Sequence, residues 1–373
     1  MYIDLSIVGP ENQQGGCHDE DSAVALCFPI MTCSSKLRSM ILVILPLALM
    51  RGAHAGEIDE FYASHPIKVV VGTGPGGGYD IYGRLIARYL GRYVPGNPKV
   101  VVVNMPGASS LRAANYIANI APKDGTEILL PVQTLPLAQV AGNGKARFDL
   151  RQFSWLGNMS NSANTVLVMQ SSPAKDLASV KQLVVTVGAT SPASLGGIYP
   201  AVMNSMLGTR FKIIYGYESG DAIDLALERG EVEGRAGTSW AALKAYRANW
   251  VREHKVRVIA QVGLEAEPDL NAPLLTDLAT NDQQRGVLAF FSSLVAVGRA
   301  LALGPDVPAD RVAALRKAFD DAMQDPDLRT EAQRQHLELR PIPGEQVQKA
   351  VALMASADPS VLTYAPGLFQ DLK

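Results

Sequence analysis

Short apolar runs alternate along this chain with longer stretches whose apolar positions recur at helical spacing, and Gly and Pro punctuate the joins. Ile67–Val71 reads as a strand, and Ile81–Tyr93 as a helix with Ile81, Leu85, Ile86, Tyr89 and Leu90 on one face. Lys99–Asn104, valine throughout its centre, reads as a second strand buried on both faces. Ala108–Ile120 is helical in pattern, and Glu127–Pro131 is a third strand entered through the Asp124-Gly125 turn. Strand, helix, strand, helix, strand with short connections predicts a parallel sheet with right-handed crossovers.

The pattern then restarts. Thr165–Gln170, Val184–Gly188, Phe211–Tyr215, Val232–Ala236 and Lys255–Gln261 read as strands. Ser194–Leu207, Ser219–Arg229 and Ser239–Asn249 read as helices between them. Phe291–Val297 is a further apolar run, and Ala309–Asp325 and Gly344–Ala355 are helical, the first closed by Pro326. No flexible linker separates the two α/β halves, so the chain is expected to cross between them more than once, near Thr165 and Ser293. The expected division is a first lobe of residues 56–164 plus 293–373, a second lobe of 165–292, and a two-segment hinge.

Upstream of this pattern lies an export signal. Lys36 and Arg38 precede an 11-residue apolar core, Met40–Met50, and Ala53 and Ala55 form an A-x-A cleavage site. A membrane span needs about 20 apolar residues, so the segment reads as a cleavable signal and the mature protein is expected in the periplasm. Met31 is the expected start, because it gives a signal of ordinary proportions. Residues 1–55 are thus expected to be an upstream extension plus signal. All three cysteines (Cys17, Cys27, Cys33) precede the cleavage site, which removes disulfides, thiolate metal sites and cysteine nucleophiles from the mature chain. The 34 Lys and Arg against 36 Asp and Glu argue against a nucleic-acid or membrane-surface binder.

Several motifs occur together in order. Gly-Pro-Gly-Gly-Gly-Tyr-Asp (74–80) resembles a P-G-G-G-x-D loop, and Asn104-Met-Pro-Gly-Ala108 an N-x-P-G-A element. Pro122 to Leu130 is similar to a P-D-G-x-T-L-L strand entry, and Ile214 to Asp224 to a Y-K-G-x-x-x-A-x-x-D segment, followed by Gly230-Glu-Val-Glu. With these motifs the chain from about Pro66 onward resembles the periplasmic substrate-binding proteins of tripartite tricarboxylate transporters, the Bug family. Tyr79 stands where a small hydroxyl residue is usual, Ser109-Ser110 replaces a glycine pair, and Glu218 sits where lysine is common. The resemblance implies an α/β periplasmic binding protein type II fold, two Rossmann-like lobes with a small organic acid between them. It implies a carboxylate held mainly by backbone N–H groups and water from one turn per lobe, rather than by arginine. It also implies a monomer that meets the membrane subunits of a secondary transporter, without cofactor or metal.

The residues support that chemistry. Gly76, Gly77 and Gly78 let the backbone approach an anion closely, and the following helix adds a positive end. Asp80 is either an N-cap or a ligand contact. Thr190, Ser191 and Ser194 offer hydroxyls and amides from the second half, or cap the Ser194–Leu207 helix. Gln133 and Thr134 follow the third strand at its carboxyl end, and Ser109 begins the second helix beside Ser110 on the same edge. Glu218 and Asp221 head the Ser219–Arg229 helix, facing either a ligand cation or solvent. Tyr79 and Trp240 are candidates to wall the pocket.

Two enzyme readings compete. Gly72, Gly74 and Gly77 fit G-x-G-x-x-G, but the second strand ends in Asn104 rather than the acid that binds a nucleotide ribose. A hydrolase using Ser194 lacks a nucleophile elbow, and His65, His254 and His336 show no catalytic or metal spacing. A periplasmic sensory ligand-binding protein is the remaining alternative. Solute capture without catalysis is therefore the expectation.

Overall fold

The computed structural model describes residues 56–142 and 144–365. The signal segment, the expected start at Met31, the cleavage site and the three cysteines lie outside the described residues. Helix α1 covers residues 56–64. It is followed by β1 (Ile67–Val71), α2 (Gly78–Tyr89), β2 (Val100–Asn104), α3 (Leu111–Asn119), β3 (Glu127–Leu130), α4 (Leu135–Val140) and β4 (Ser154–Asn158). Next come β5 (Asn164–Met169), α5 (Leu177–Gln182), β6 (Val185–Gly188), α6 (Leu195–Leu207), β7 (Phe211–Ile214) and α7 (Gly220–Glu228). After them stand β8 (Gly234–Ser239), α8 (Trp240–Tyr246), α9 (Ala248–Arg252), β9 (Val256–Val262) and α10 (Asp282–Ser293). The chain closes with β10 (Ala300–Leu303), α11 (Ala309–Gln324), α12 (Pro326–Arg334), β11 (Ile342–Pro343) and α13 (Gly344–Ala355).

These strands form two sheets, ordered β11-β4-β10-β3-β1-β2 and β7-β6-β8-β5-β9. The expected parallel pairing holds for β1 with β2 and β3, and for β6 with β7 and β8. The sheets as wholes are mixed, because β10 runs antiparallel to β3 and β4, and β5 antiparallel to β8 and β9. Strand β10 belongs to the first sheet but follows the second in sequence, so it re-enters against the direction of its neighbours. Alternation sets the layers: Ile67, Val69 and Val71 pack with Leu85 and Ile86 of α2 and Phe319 of α11. Val70 faces the other way, with Leu129 and with Ala114 and Ile117 of α3. Strand β2, expected to be buried on both faces, is instead a half-buried sheet edge.

Boundaries moved where backbone geometry overrides periodicity. Helix α2 begins at Gly78, inside the glycine run. Helix α3 begins only at Leu111, because Ala108, Ser109 and Ser110 take successive left-handed φ values of 45°, 50° and 70°. Such residues cost roughly 1–2 kcal/mol each in strain. Ser110 offsets part of this: its buried hydroxyl donates to Gly72 O (3.1 Å) and accepts from Val132 N (3.0 Å), tying three loops together. The Ser239–Asn249 segment breaks into α8 and α9 at Arg247. The Phe291–Val297 run is the end of α10 and a 3-10 turn, and the strand there is the unforeseen β10.

The chain passes from the first sheet to the second between Asn158 and Asn164, and returns to it at Ala300. Asn158, fully buried, joins the two passages. Its Nδ2 donates to Val295 O (3.1 Å), and its Oδ1 accepts from Arg299 N (2.8 Å) and Ser160 N (3.2 Å).

Candidate functional site

Next to that staple lies a cavity of ≈ 270 Å³ whose walls come from elements of both sheets. From the first come the head of α2 (Gly78, Tyr79 and Tyr82), Gln133 after β3, and Gly298-Arg299 before β10. From the second come Asn164 at the start of β5 and the last residues of β8, Gly237-Thr238-Ser239. Glu338, between α12 and β11, closes one side.

Arg299 is the centre of the chemistry. Its guanidinium lies 4.1 Å from the Tyr79 ring centroid and 5.2 Å from that of Tyr82, a cation held on two aromatic faces. Nη1 donates to Gly298 O (2.7 Å), while Nε is buried without a partner. Tyr79 is pinned in turn, its hydroxyl accepting from Gln133 N (3.0 Å). A Cβ at Gly78 would stand 3.3 Å from Arg299 Nη2, close enough to crowd the guanidinium. Gly237 is required twice over: its φ is +81°, and a Cβ would come within 2.6 Å of the Leu195 Cβ. The opening N–H groups of α2 have no intrahelical acceptor, and the helix adds its positive end to the same wall.

Burial without satisfaction marks the site. Eight buried side-chain N or O atoms among the described residues lack a hydrogen-bond partner, and four of them line this cavity: Gln133 Nε2, Thr238 Oγ1, Arg299 Nε and Glu338 Oε2. Each such atom costs about 1–3 kcal/mol if left dry. Gln133 is only 7 % exposed, so bulk water does not account for its amide. Three of the four carry donors, and with the Arg299 charge and the α2 end they suit the cavity to a carboxylate. Burial pushes the Tyr82 phenol above its usual pKa, and its hydroxyl donates to the main-chain O of Glu338 (2.8 Å). Burial, then the neighbouring Glu267, pushes the Glu338 carboxyl up as well.

Of the residues singled out from sequence, Gly78, Tyr79 and Gln133 line the cavity. The others do not, for identifiable reasons. Gly76 and Asp80 serve one another: Asp80 Oδ2 accepts from Gly76 N (2.8 Å) and Arg84 Nε (2.8 Å), and Oδ1 from Asn104 Nδ2 (2.8 Å). Asp80 is therefore not the N-cap, and its carboxylate is engaged by the loop, Arg84 and Asn104; Gly77 occupies the N-cap position, with open space where its Cβ would be. Burial alone would raise the Asp80 pKa, but the bonds from Arg84, Gly76 and Asn104 outweigh it and hold it below the usual carboxylate value. Ser109 is exposed in the left-handed turn, and Thr134 is the N-cap position of α4.

The second-half turn is closed on itself. Ser194 Oγ donates to Ser191 O (2.6 Å) and accepts from Gly197 N (3.3 Å) as the α6 cap, and Thr190 O accepts from Gly216 N. Glu218 is exposed, and Asp221 pairs with Arg247 (2.7 Å) at the surface. Trp240 is core, its Nε1 donating to Asp269 (2.8 Å). Arg299, which the motif reading did not single out, lines the cavity. That residue has a sequence signal, a lone cation between the apolar runs 287–298 and 300–303, which a search confined to glycine and hydroxyl loops passes over.

Among the described residues no cluster of His, Cys, Asp or Glu is arranged to hold a metal, and no helix is long and apolar enough to cross a membrane. No family model and no curated protein matches the chain. Solved structures do. A TctC solute-binding protein from Polaromonas aligns with TM-score 0.62 at 22% identity, over 81% of this chain and 99% of that one. The periplasmic binding protein BugD aligns with TM-score 0.57 at 17% identity, over 82% and 98%. MatC from Rhodopseudomonas palustris, solved with bound malate, aligns with TM-score 0.55 at 19% identity, over 83% and 99%. This chain has the α/β fold of these TctC and Bug solute-binding proteins, the periplasmic binding protein type II fold.

Proposed function

We propose that the protein is an exported, periplasmic solute-binding protein, without catalytic activity, that captures a small organic acid in this cavity. It then hands the acid to the membrane subunits of a tripartite tricarboxylate-type transporter. The observation that carries the reading is the convergence of three unpartnered donors, Arg299 Nε, Gln133 Nε2 and Thr238 Oγ1, on one cavity walled by elements of both sheets. The bound malate of MatC, on the same fold, supports the same ligand class.

Arg299 and Gln133 receive the carboxylate in the first half, assisted by the α2 end, and Thr238 receives it from the second. A ligand that contacts both halves favours the closed arrangement by its differential contacts alone. The lobes in this reading are residues 56–164 with 293–373, and 165–292, and the protein acts as a monomer.

The test is a thermal-shift and calorimetric screen of organic acids. A ligand at a hundred times its Kd adds about 2.7 kcal/mol of stability. Arg299→Met and Gln133→Leu are expected to keep the fold and weaken the best acid by 100-fold and 10-fold. Undiminished binding in both variants, or turnover of the bound acid, rejects the assignment.

A further inference from the structure

The four unpartnered atoms of the cavity are not all donors. Glu338 Oε2 is an acceptor, buried in the same cavity that holds the Arg299 guanidinium. Opposite charges that share a cavity ordinarily pair. Here Arg299 Nε and Glu338 Oε2 both stay without a partner. Tyr82 touches both residues. Its ring face carries Arg299 at 5.2 Å, while its hydroxyl, at the far end of the same side chain, donates to the main-chain O of Glu338 at 2.8 Å. Asn158 fixes the other anchor by accepting Arg299 N (2.8 Å). Tyr82, 6 % exposed, is thus fixed between the Arg299 guanidinium and the Glu338 main chain, and the unpartnered Arg299 Nε and Glu338 Oε2 do not bond to one another.

An anion alone leaves this arrangement half used. A simple carboxylate answers Arg299, Gln133 and Thr238 but gives Glu338 nothing, and a second carboxylate placed there meets like charge. A ligand with a protonated amine near its carboxylate satisfies both ends at once. We propose that the ligand is zwitterionic, of amino-acid type, its carboxylate on Arg299 and Gln133 and its ammonium on Glu338. The burial that pushes the Glu338 carboxyl upward fits this, since an adjacent ammonium is what restores its charged form. The cavity, ≈ 270 Å³, lies just below the common range of about 300–1,000 Å³ for ligand pockets, which suits a small molecule of this kind.

This inference rests on the carboxylate reading of the same cavity, and the experiment separates the two. Titration calorimetry compares L-aspartate with succinate, L-glutamate with glutarate, and L-leucine with 4-methylpentanoate, on the wild type and on Glu338→Gln. At least one amino acid is expected to bind 10-fold or more tighter than its partner lacking the amine. In Glu338→Gln that amino acid weakens at least 10-fold while its partner changes less than threefold, so the preference collapses. Glu338→Ala supplies the same ratio if the glutamine variant does not fold. Equal or tighter binding of the amine-free acids by the wild type, still abolished by Arg299→Met, overturns the zwitterion and leaves the carboxylate reading standing. A Glu338 variant that weakens both members of a pair alike also overturns it. Failure of all six compounds to bind rejects both.

Discussion

The turn that opens α2 and the turn that opens α6 look alike in sequence, each a small-residue loop between a buried strand and a helix, yet they end in different states. At α2 the loop is locked from behind by Asp80, which collects Gly76 N, Arg84 and Asn104, and its leading residues Gly78 and Tyr79 are left facing the cavity. At α6 the hydroxyl of Ser194 is spent on Ser191 and Gly197 within the turn. The second half reaches the cavity instead through the end of β8, where Thr238 keeps a buried hydroxyl with no partner. A polar turn is available to a ligand only in so far as its own backbone has not already claimed it.

Removing the lock behind α2 has the largest expected effect on the folded chain. Asp80→Ala is expected to lose about 2–4 kcal/mol of stability, because it removes a buried carboxylate together with the three hydrogen bonds it accepts from Gly76 N, Arg84 and Asn104. The pH dependence has a definite sign. The Asp80 pKa is depressed by folding, so its contribution is fully present above the unfolded value near 4 and is lost as pH falls through the lower folded value. Melting curves are expected to show a gap between wild type and Asp80→Ala that is constant from pH 5 to 8 and narrows on acidification. A gap unchanged down to pH 3 contradicts the role given to this carboxylate.

The next effect sharpens the contrast on the second half. Thr238→Val keeps the shape and removes one hydroxyl, and is expected to weaken the acid by about 0.5–1.5 kcal/mol in calorimetry. Thr190→Val and Ser191→Ala are expected to leave affinity unchanged; the reverse pattern returns the site to the α6 turn. Smallest is Ser194→Ala, which is expected to cost about 1 kcal/mol of stability as a lost cap and to leave affinity alone.

The sequence carried the first-sheet core well, because β1 and the loop after it combine a valine run with glycines that few other structures need. It carried the antiparallel strands poorly. Strand β4 is Ser-Trp-Leu-Gly-Asn and β10 only Ala-Leu-Ala-Leu, too short and mixed for a period to declare itself. Direction is set by where the chain re-enters, which no local pattern encodes. Valine content made β2 read as central, although it is an edge strand, since the pattern reports apolar preference rather than how many neighbours the strand acquires. The site was legible where its members sit at loop glycines or strand ends, as Gly78 and Gln133 do. Arg299, Thr238 and Glu338 converge from distant parts of the chain, and only the tertiary fold brings them together.

Asn158 gives the mechanics a further turn. By stitching both passages together beside Arg299, it puts the joint between the two sheets right next to the guanidinium that lines the cavity. Points close to a fulcrum hardly travel when the arms swing, whereas the rim sweeps far. Under the proposed capture mechanism, discrimination among solutes is then settled beside the joint, and the larger displacement at the rim is what a docked transporter would meet.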